Sequence, residues 1–143
     1  MADVYKTVLI NQSVERMFDL VTDVARYPEF LPWCGGVEIF EQTDTILDAK
    51  ISIHFKGIKQ YFHTRNVNHP PETIDMVFVD GPFRHFSGQW NFIALREDAC
   101  KVEFKLHWEF KNALLDKIIG PVFAHIAGTF VDRFVSRAES LYG

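Results

Sequence analysis

A chain of 143 residues with 15 Lys and Arg against 19 Asp and Glu has a formal charge of −4, and 48% of it is apolar. That length suits one domain, 1–143, with a real core, and the acidic balance offers polyanions no general field, which argues against DNA as a partner. No basic-then-apolar leader opens the chain, and no uninterrupted apolar run approaches the ~20 residues needed to cross a bilayer.

Residues 3–10 hold Val4, Val8, Leu9 and Ile10 and read as a first strand. Ser13 stands where a helix N-cap belongs and Glu15 suits the positive end of the helix dipole. Val14, Met17, Phe18 and Val21 recur at helical spacing, so a short amphipathic helix is expected over 14–22. Asp23 is placed to cap a second short helix that runs into Tyr27–Trp33. The segment Tyr27–Gly36 carries Tyr27, Phe30, Leu31, Trp33 and Cys34, broken by Pro28 and Pro32. Connections that run over a surface are normally polar, so one this apolar must be tucked under the body, line a cavity, or touch a membrane or partner.

From Val37 the pattern turns to strands, expected at 37–43, 47–56, 59–68, 73–79, 84–96 and 100–111. Gly57, Asn68-His69-Pro70-Pro71, Asp80-Gly81-Pro82 and Glu97-Asp98-Ala99 mark the turns. The last strand has the cleanest pattern. Val102, Phe104, Leu106, Trp108 and Phe110 alternate with Lys101, Glu103, Lys105, His107, Glu109 and Lys111, one buried face against one wet face. After Asn112 the period becomes helical, with Phe123, Ala127, Phe130, Phe134, Ala138 and Leu141 in a stripe that Ile126 and Val131 widen. Gly120-Pro121 should kink this helix or cut a short helix, about 113–119, from the main one. A curved antiparallel sheet needs its apolar face covered, and only the Phe-rich helix is large enough to do so. The expected class is α+β: about seven antiparallel strands gripping a long C-terminal helix, with two short helices after the first strand.

This order of elements resembles the START-like helix-grip superfamily of polyketide cyclases and plant allergens. More specific are Tyr27-Pro28-x-Phe30-Leu31-Pro32-Trp33-Cys34, Phe62-x-Thr64-Arg65-Asn66, Gly81-Pro82-Phe83, Gly88-x-Trp90-x-Phe92, Cys100-Lys101-Val102-Glu103-Phe104 and Gly120-Pro121-Val122-Phe123. Together they are similar to the coenzyme Q-binding START-domain family and its bacterial relative, the ribosome-association toxin family. The resemblance implies one of two functions. The first is binding or carriage of a polyprenyl quinone such as ubiquinone in support of respiration. The second is association with the large ribosomal subunit and inhibition of translation. The Trp33-Cys34 pair leans toward the quinone branch. A cyclase-like enzyme is the third reading.

A helix across a curved sheet leaves volume that Gly88, Ala127 and Gly128 do not fill, and an apolar pocket with few polar groups is what a lipid-like ligand needs. Candidate linings are Phe30, Leu31, Trp33, Phe83, Phe86, Trp90 and Phe92, opposed by Phe123, Ile126, Ala127 and Phe130 on the helix. For any one of these, simple core packing is the plainer reading; the cavity gains from the group. A quinone head would need donors for its carbonyl oxygens, with His63, Arg65, Arg84, His85 or Gln89 available. Exposed Phe30, Leu31 and Trp33 would let the mouth enter a membrane interface transiently.

Catalysis and metal binding find little in the sequence. The six histidines are scattered, with no spacing that joins them to Cys or carboxylates as metal ligands. Only His63 and Arg65 suggest themselves as acid–base groups in a cavity. Cys34 and Cys100 read as reduced thiols of a cytoplasmic protein, peripheral at the inner membrane if the quinone reading holds. Lys50, Lys56, Lys59, Arg65, Arg84, Lys101, Lys105, Lys111 and Lys117 could meet a ribosome, but most alternate with acids as on any solvated face.

Overall fold

The computed structural model describes residues 2–143. Strand β1 (Ala2–Ile10) leads into helix α1 (Val14–Thr22), one turn of 3-10 helix (Val24–Arg26) and the short α2 (Tyr27–Phe30). Then come β2 (Cys34–Gln42), β3 (Ile46–Phe55), β4 (Ile58–His69), β5 (Thr73–Asp80), β6 (Phe83–Arg96) and β7 (Ala99–Phe110), and last the helix α3 (Ala113–Tyr142). The seven strands form one sheet in the order β1-β7-β6-β5-β4-β3-β2, each pair antiparallel. This is the helix-grip architecture expected.

Local chemistry explains the boundaries. The Ser13 hydroxyl accepts from the Arg16 amide at 3.2 Å, and Asn112 Oδ1 accepts from the Leu115 amide at 2.9 Å, so α1 and α3 each begin at a side-chain cap. Asp23 makes no such bond at the 3-10 turn. Lys56 and Gly57, at φ 50° and 79°, make the two-residue turn between β3 and β4, where both central residues need positive φ to match the strand twist. In β7 the apolar set Val102, Phe104, Leu106, Trp108 and Phe110 is buried throughout, as its alternation requires.

The core lies between the concave face of the sheet and α3, whose Ile119, Phe123, Ile126, Ala127, Phe130, Phe134 and Ala138 are buried. Four details of this packing differ from the sequence reading. The helix is unbroken through Gly120-Pro121, so no separate 113–119 helix exists. Pro121 sits on the exposed side, where water can take the carbonyl it leaves unpaired, and Ile119 and Phe123 bury on either side of it. Leu141, expected in the stripe, is 49% exposed and lies in a surface cleft beside Leu20 of α1 and Phe30 of α2. Gly88 leaves no void: a Cβ there would stand 2.8 Å from Met76 Sδ and 3.1 Å from Leu106 Cδ1, so those side chains already fill the space. Gly128 is half-buried and its missing Cβ would meet nothing, so it opens toward solvent rather than the cavity.

Candidate ligand-binding cavity

Between α3 and the sheet lies a cavity of about 50 Å³. Its walls are Leu47, Ala49 and Ile51 of β3, Phe62, Thr64 and Asn66 of β4, Phe86 and Trp90 of β6, Phe104 and Leu106 of β7, and Phe123, Ile126, Ala127 and Phe130 of α3. Tyr27 and Trp33 close one side together with Val21, Thr22 and Val24. A single water occupies roughly 10–15 Å³ by such a measure, whereas pockets for small ligands run to roughly 300–1,000 Å³. The space is therefore a narrow apolar seam, and a prenyl chain could enter only if the aromatic rings along it moved apart.

Seven of the apolar candidates line this seam: Trp33, Phe86, Trp90, Phe123, Ile126, Ala127 and Phe130. Phe83 and Phe92 are buried but off it. Phe83 stacks on Phe110 at 5.0 Å, and Phe92 meets Phe18 edge-on at 5.5 Å. Leu31 is core, 1% exposed, and Trp33 is 3% exposed, so neither forms the exposed mouth expected of them. The cause is α3. Tyr27 and Phe30 pack edge-on against Phe134 at 5.4 and 5.3 Å, and Trp33 lies 6.0 Å from Phe130. Half-buried Phe30 is also covered by the Arg137 guanidinium at 5.1 Å, which Glu29 holds by an ion pair of 2.8 Å. The Tyr27 hydroxyl donates to the Val21 carbonyl, and burial raises its pKa.

The polar candidates all fall outside the cavity. His63 bonds Asp48, and Arg65 reaches both Asp48 and Glu41 at 2.9 Å. Arg84 pairs with Glu109 at 3.1 Å, Gln89 donates to Asp75 at 2.8 Å, and His85 is exposed. On β4 the inward residues are Phe62, Thr64, Asn66 and Asn68, so His63 and Arg65 face the convex side by strand alternation. The His63 hydrogen bond first, then Arg65, holds the Asp48 carboxyl below the usual carboxylate range.

What the sequence reading missed, besides Thr22 at the end of α1, is the polar pair of β4 that lines the seam, Thr64 and Asn66. The alternation starting at Phe62 would have found both. Two buried polar atoms of the lining, Trp33 Nε1 and Asn66 Oδ1, have no hydrogen-bond partner among the described residues. An unpartnered buried polar group costs roughly 1–3 kcal/mol, so such atoms beside an apolar cavity suit a ligand that carries its own polar head.

Neither cysteine belongs to this chemistry. Burial raises the Cys34 thiol and pushes Cys100 up to about 11. Since the thiolate is the reactive form, neither should be alkylated by iodoacetamide at pH 8 in the folded protein. Both should react within minutes once denaturant is added, as intact mass would show.

With the geometry in hand, comparison with known proteins is direct. Residues 10–135 match the profile of the family described as polyketide cyclase / dehydrase and lipid transport. The chain belongs to that family.

Within the family, it is 41% identical to the ribosome association toxin RatA of Vibrio cholerae over 143 residues, all of this chain and 99% of that one. It is 27% identical to the mitochondrial coenzyme Q-binding protein COQ10 homolog B of Xenopus laevis, over 94% of this chain and 57% of that one. Among solved structures, that of an 18 kDa protein from Caulobacter crescentus is 30% identical with a TM-score of 0.76, covering 100% and 99% of the two chains. Overall identity thus points to the RatA side of the family, against the lean given by Trp33-Cys34.

Proposed function

We propose that the chain binds a hydrophobic small molecule with a carbonyl head between its sheet and α3, a polyprenyl quinone such as ubiquinone foremost, and carries it without transforming it. The observation behind this reading is the indole Nε1–H of Trp33, buried in the apolar lining with no partner among the described residues. A quinone carbonyl is the acceptor it lacks, whereas the unpartnered Asn66 Oδ1, itself an acceptor, would take a hydroxyl of the reduced quinol. Loading requires the seam to widen from its closed volume of about 50 Å³, by rearrangement of the rings contributed by α3. Lipid transport also figures in the family's description, and on this reading the protein would meet its ligand at the cytoplasmic face of the membrane.

Binding without turnover is favoured by the walls themselves. No carboxylate, histidine, lysine or cysteine is among the residues that line the seam, and its one phenol, Tyr27, already donates to the Val21 carbonyl, whereas a general acid–base catalyst would draw on a free group of these kinds. His63, the residue singled out for that work, lies on the opposite face of β4.

Extraction and mass spectrometry of lipid carried by the protein, purified from quinone-containing cells, should find quinone near one per chain. Its absence, with no uptake in detergent solution, would overturn the reading. Trp33→Phe separates the head contact from packing. It should weaken quinone affinity about tenfold, the equivalent of ~1.4 kcal/mol for one lost hydrogen bond. Thermal stability should hold or rise slightly, since the variant no longer buries an unpaired donor.

A second reading is carried by the 41% identity to RatA along the full length of both chains: association with the large ribosomal subunit and inhibition of translation. Sucrose-gradient cosedimentation with isolated large subunits, and growth arrest on overproduction, would establish it. Free migration at the top of the gradient would dismiss it.

A further inference from the structure

We infer that the outer face of the first half of α3, together with the tip of the β3–β4 hairpin, is a docking surface for an anionic lipid bilayer. This is a different surface from the Tyr27–Trp33 segment, whose leucine and tryptophan are buried.

The observation is an apolar helix face left without cover. Leu114 is 66% exposed and Ile118 54% exposed. Pro121 and His125 continue the same side of the helix and are exposed too, while Ile119, Phe123 and Ile126 on the other side enter the core. An 18-residue window of α3 is apolar enough to cross a membrane, yet only 28% of it is buried in the protein. Because the inner side is committed to the core, this helix can lie on an interface but not span it. The hairpin extends the surface. Phe55 stacks on His125 at 5.9 Å with the rings 15° apart, and Lys56 Nζ lies 5.4 Å from the Phe55 ring centre.

Charge selects the occupant. Lys56 and Lys59 on the hairpin and Lys117 on the helix are exposed, and among the described residues none lies within ion-pair distance of a carboxylate. From Ala113 to Val131 the helix holds a single acid, Asp116. That residue lies in a cleft with Arg84, Trp108 and Phe110 on the sheet side, away from Leu114 and Ile118. The surface is therefore apolar at its centre, cationic at its edge and free of acid, although the whole chain carries −4. Lysines alone would suit the phosphates of RNA as well as those of lipids. Exposed leucine and isoleucine between them gain nothing on an RNA backbone, whereas a headgroup–acyl boundary takes both.

The inference deepens the ligand reading and rests on it for its purpose. The helix whose inner side lines the cavity would sit with its outer side on the membrane that supplies the ligand. The two can fail separately. In flotation assays, the whole chain should rise with phosphatidylcholine vesicles containing about one-third phosphatidylglycerol, and much less with phosphatidylcholine alone. Leu114→Gln with Ile118→Gln, helix-compatible changes at exposed positions, should cut the bound fraction at least tenfold at unchanged melting temperature. Lys56→Gln, Lys59→Gln and Lys117→Gln together should abolish the preference for the anionic vesicles. A variant with a filled cavity should still float, so loss of the ligand reading would leave this result standing. Absent flotation, or flotation indifferent to Leu114 and Ile118, overturns the inference. So does a surface whose lysine changes release large ribosomal subunits while vesicles are never bound.

Discussion

Phe123→Ala is expected to cost about 4 kcal/mol of folding free energy, the middle of the ~3–5 kcal/mol range for a buried phenylalanine. Phe123 is 3% exposed and its ring centre lies 5.0 Å from those of Phe83 and Trp108. Phe62 and Phe86 follow at 6.4 Å and Phe110 at 6.1 Å. The ring thus joins β4, β6 and β7 to α3, and its removal adds to a cavity already present beside it. The walls are a hydrogen-bonded sheet and a capped helix, which cannot collapse far into the gap, and the cavity penalty is then paid nearly in full. For a chain of this length the melting temperature should fall by roughly 10–15 °C, readable by calorimetry. A loss below about 1 kcal/mol would mean that the core repacks freely and that its aromatic register does not fix α3. The enlarged seam should at the same time admit small apolar probes more readily than the parent.

Ala127→Phe should do the reverse. Ala127 is 2% exposed and lines the seam opposite the strands, so a ring at that position fills a volume of about 50 Å³ completely and blocks its widening. Overpacking of this kind costs about 1–3 kcal/mol, which leaves the fold in place, while copurifying quinone should drop at least a hundredfold. The ratio of quinone to protein, by extraction and mass spectrometry, is the measurement. Full quinone content in this variant would show that the ligand is held elsewhere. Together the two substitutions separate what stabilises the core from what makes room in it.

Where one face of an element is wet, the sequence displays its fold plainly. The alternation of Val102 to Phe110 against charged neighbours located β7 and its buried face, and Ser13 located the start of α1. The site was half legible. Apolar walls such as Trp90, Phe123 and Phe130 stand on recognisable stripes. The polar positions were sought among His63, Arg65, Arg84 and Gln89, which are conspicuous as residue types. Burying a charge without a partner is expensive, so Arg65 and Arg84 face outward to carboxylates, as His63 and Gln89 also do, while Thr64 and Asn66 turn inward. Non-local packing hid the rest. Nothing around Gly88 foretold that Met76 of the next strand would fill its space, nor around Trp33 that Phe130, far along the chain, would draw it under. Leu114 and Ile118 stand outside the core stripe, and the helix leaves them uncovered.

The position of β1 has a consequence for how the chain is made. Among the described residues its one neighbour in the sheet is β7, in register from Ala2 opposite Trp108 to Ile10 opposite Cys100. Within this sheet the strand made first therefore waits for the strand made last before it can bond to anything. Until then it is an open edge, and such edges invite pairing with other chains. Contacts this distant along the chain are also slow to form, because a long loop must close before they return any free energy. The sheet should accordingly be completed only once β7 has been made. A nascent chain halted before β7 would hold most of a sheet with its opening strand unclaimed.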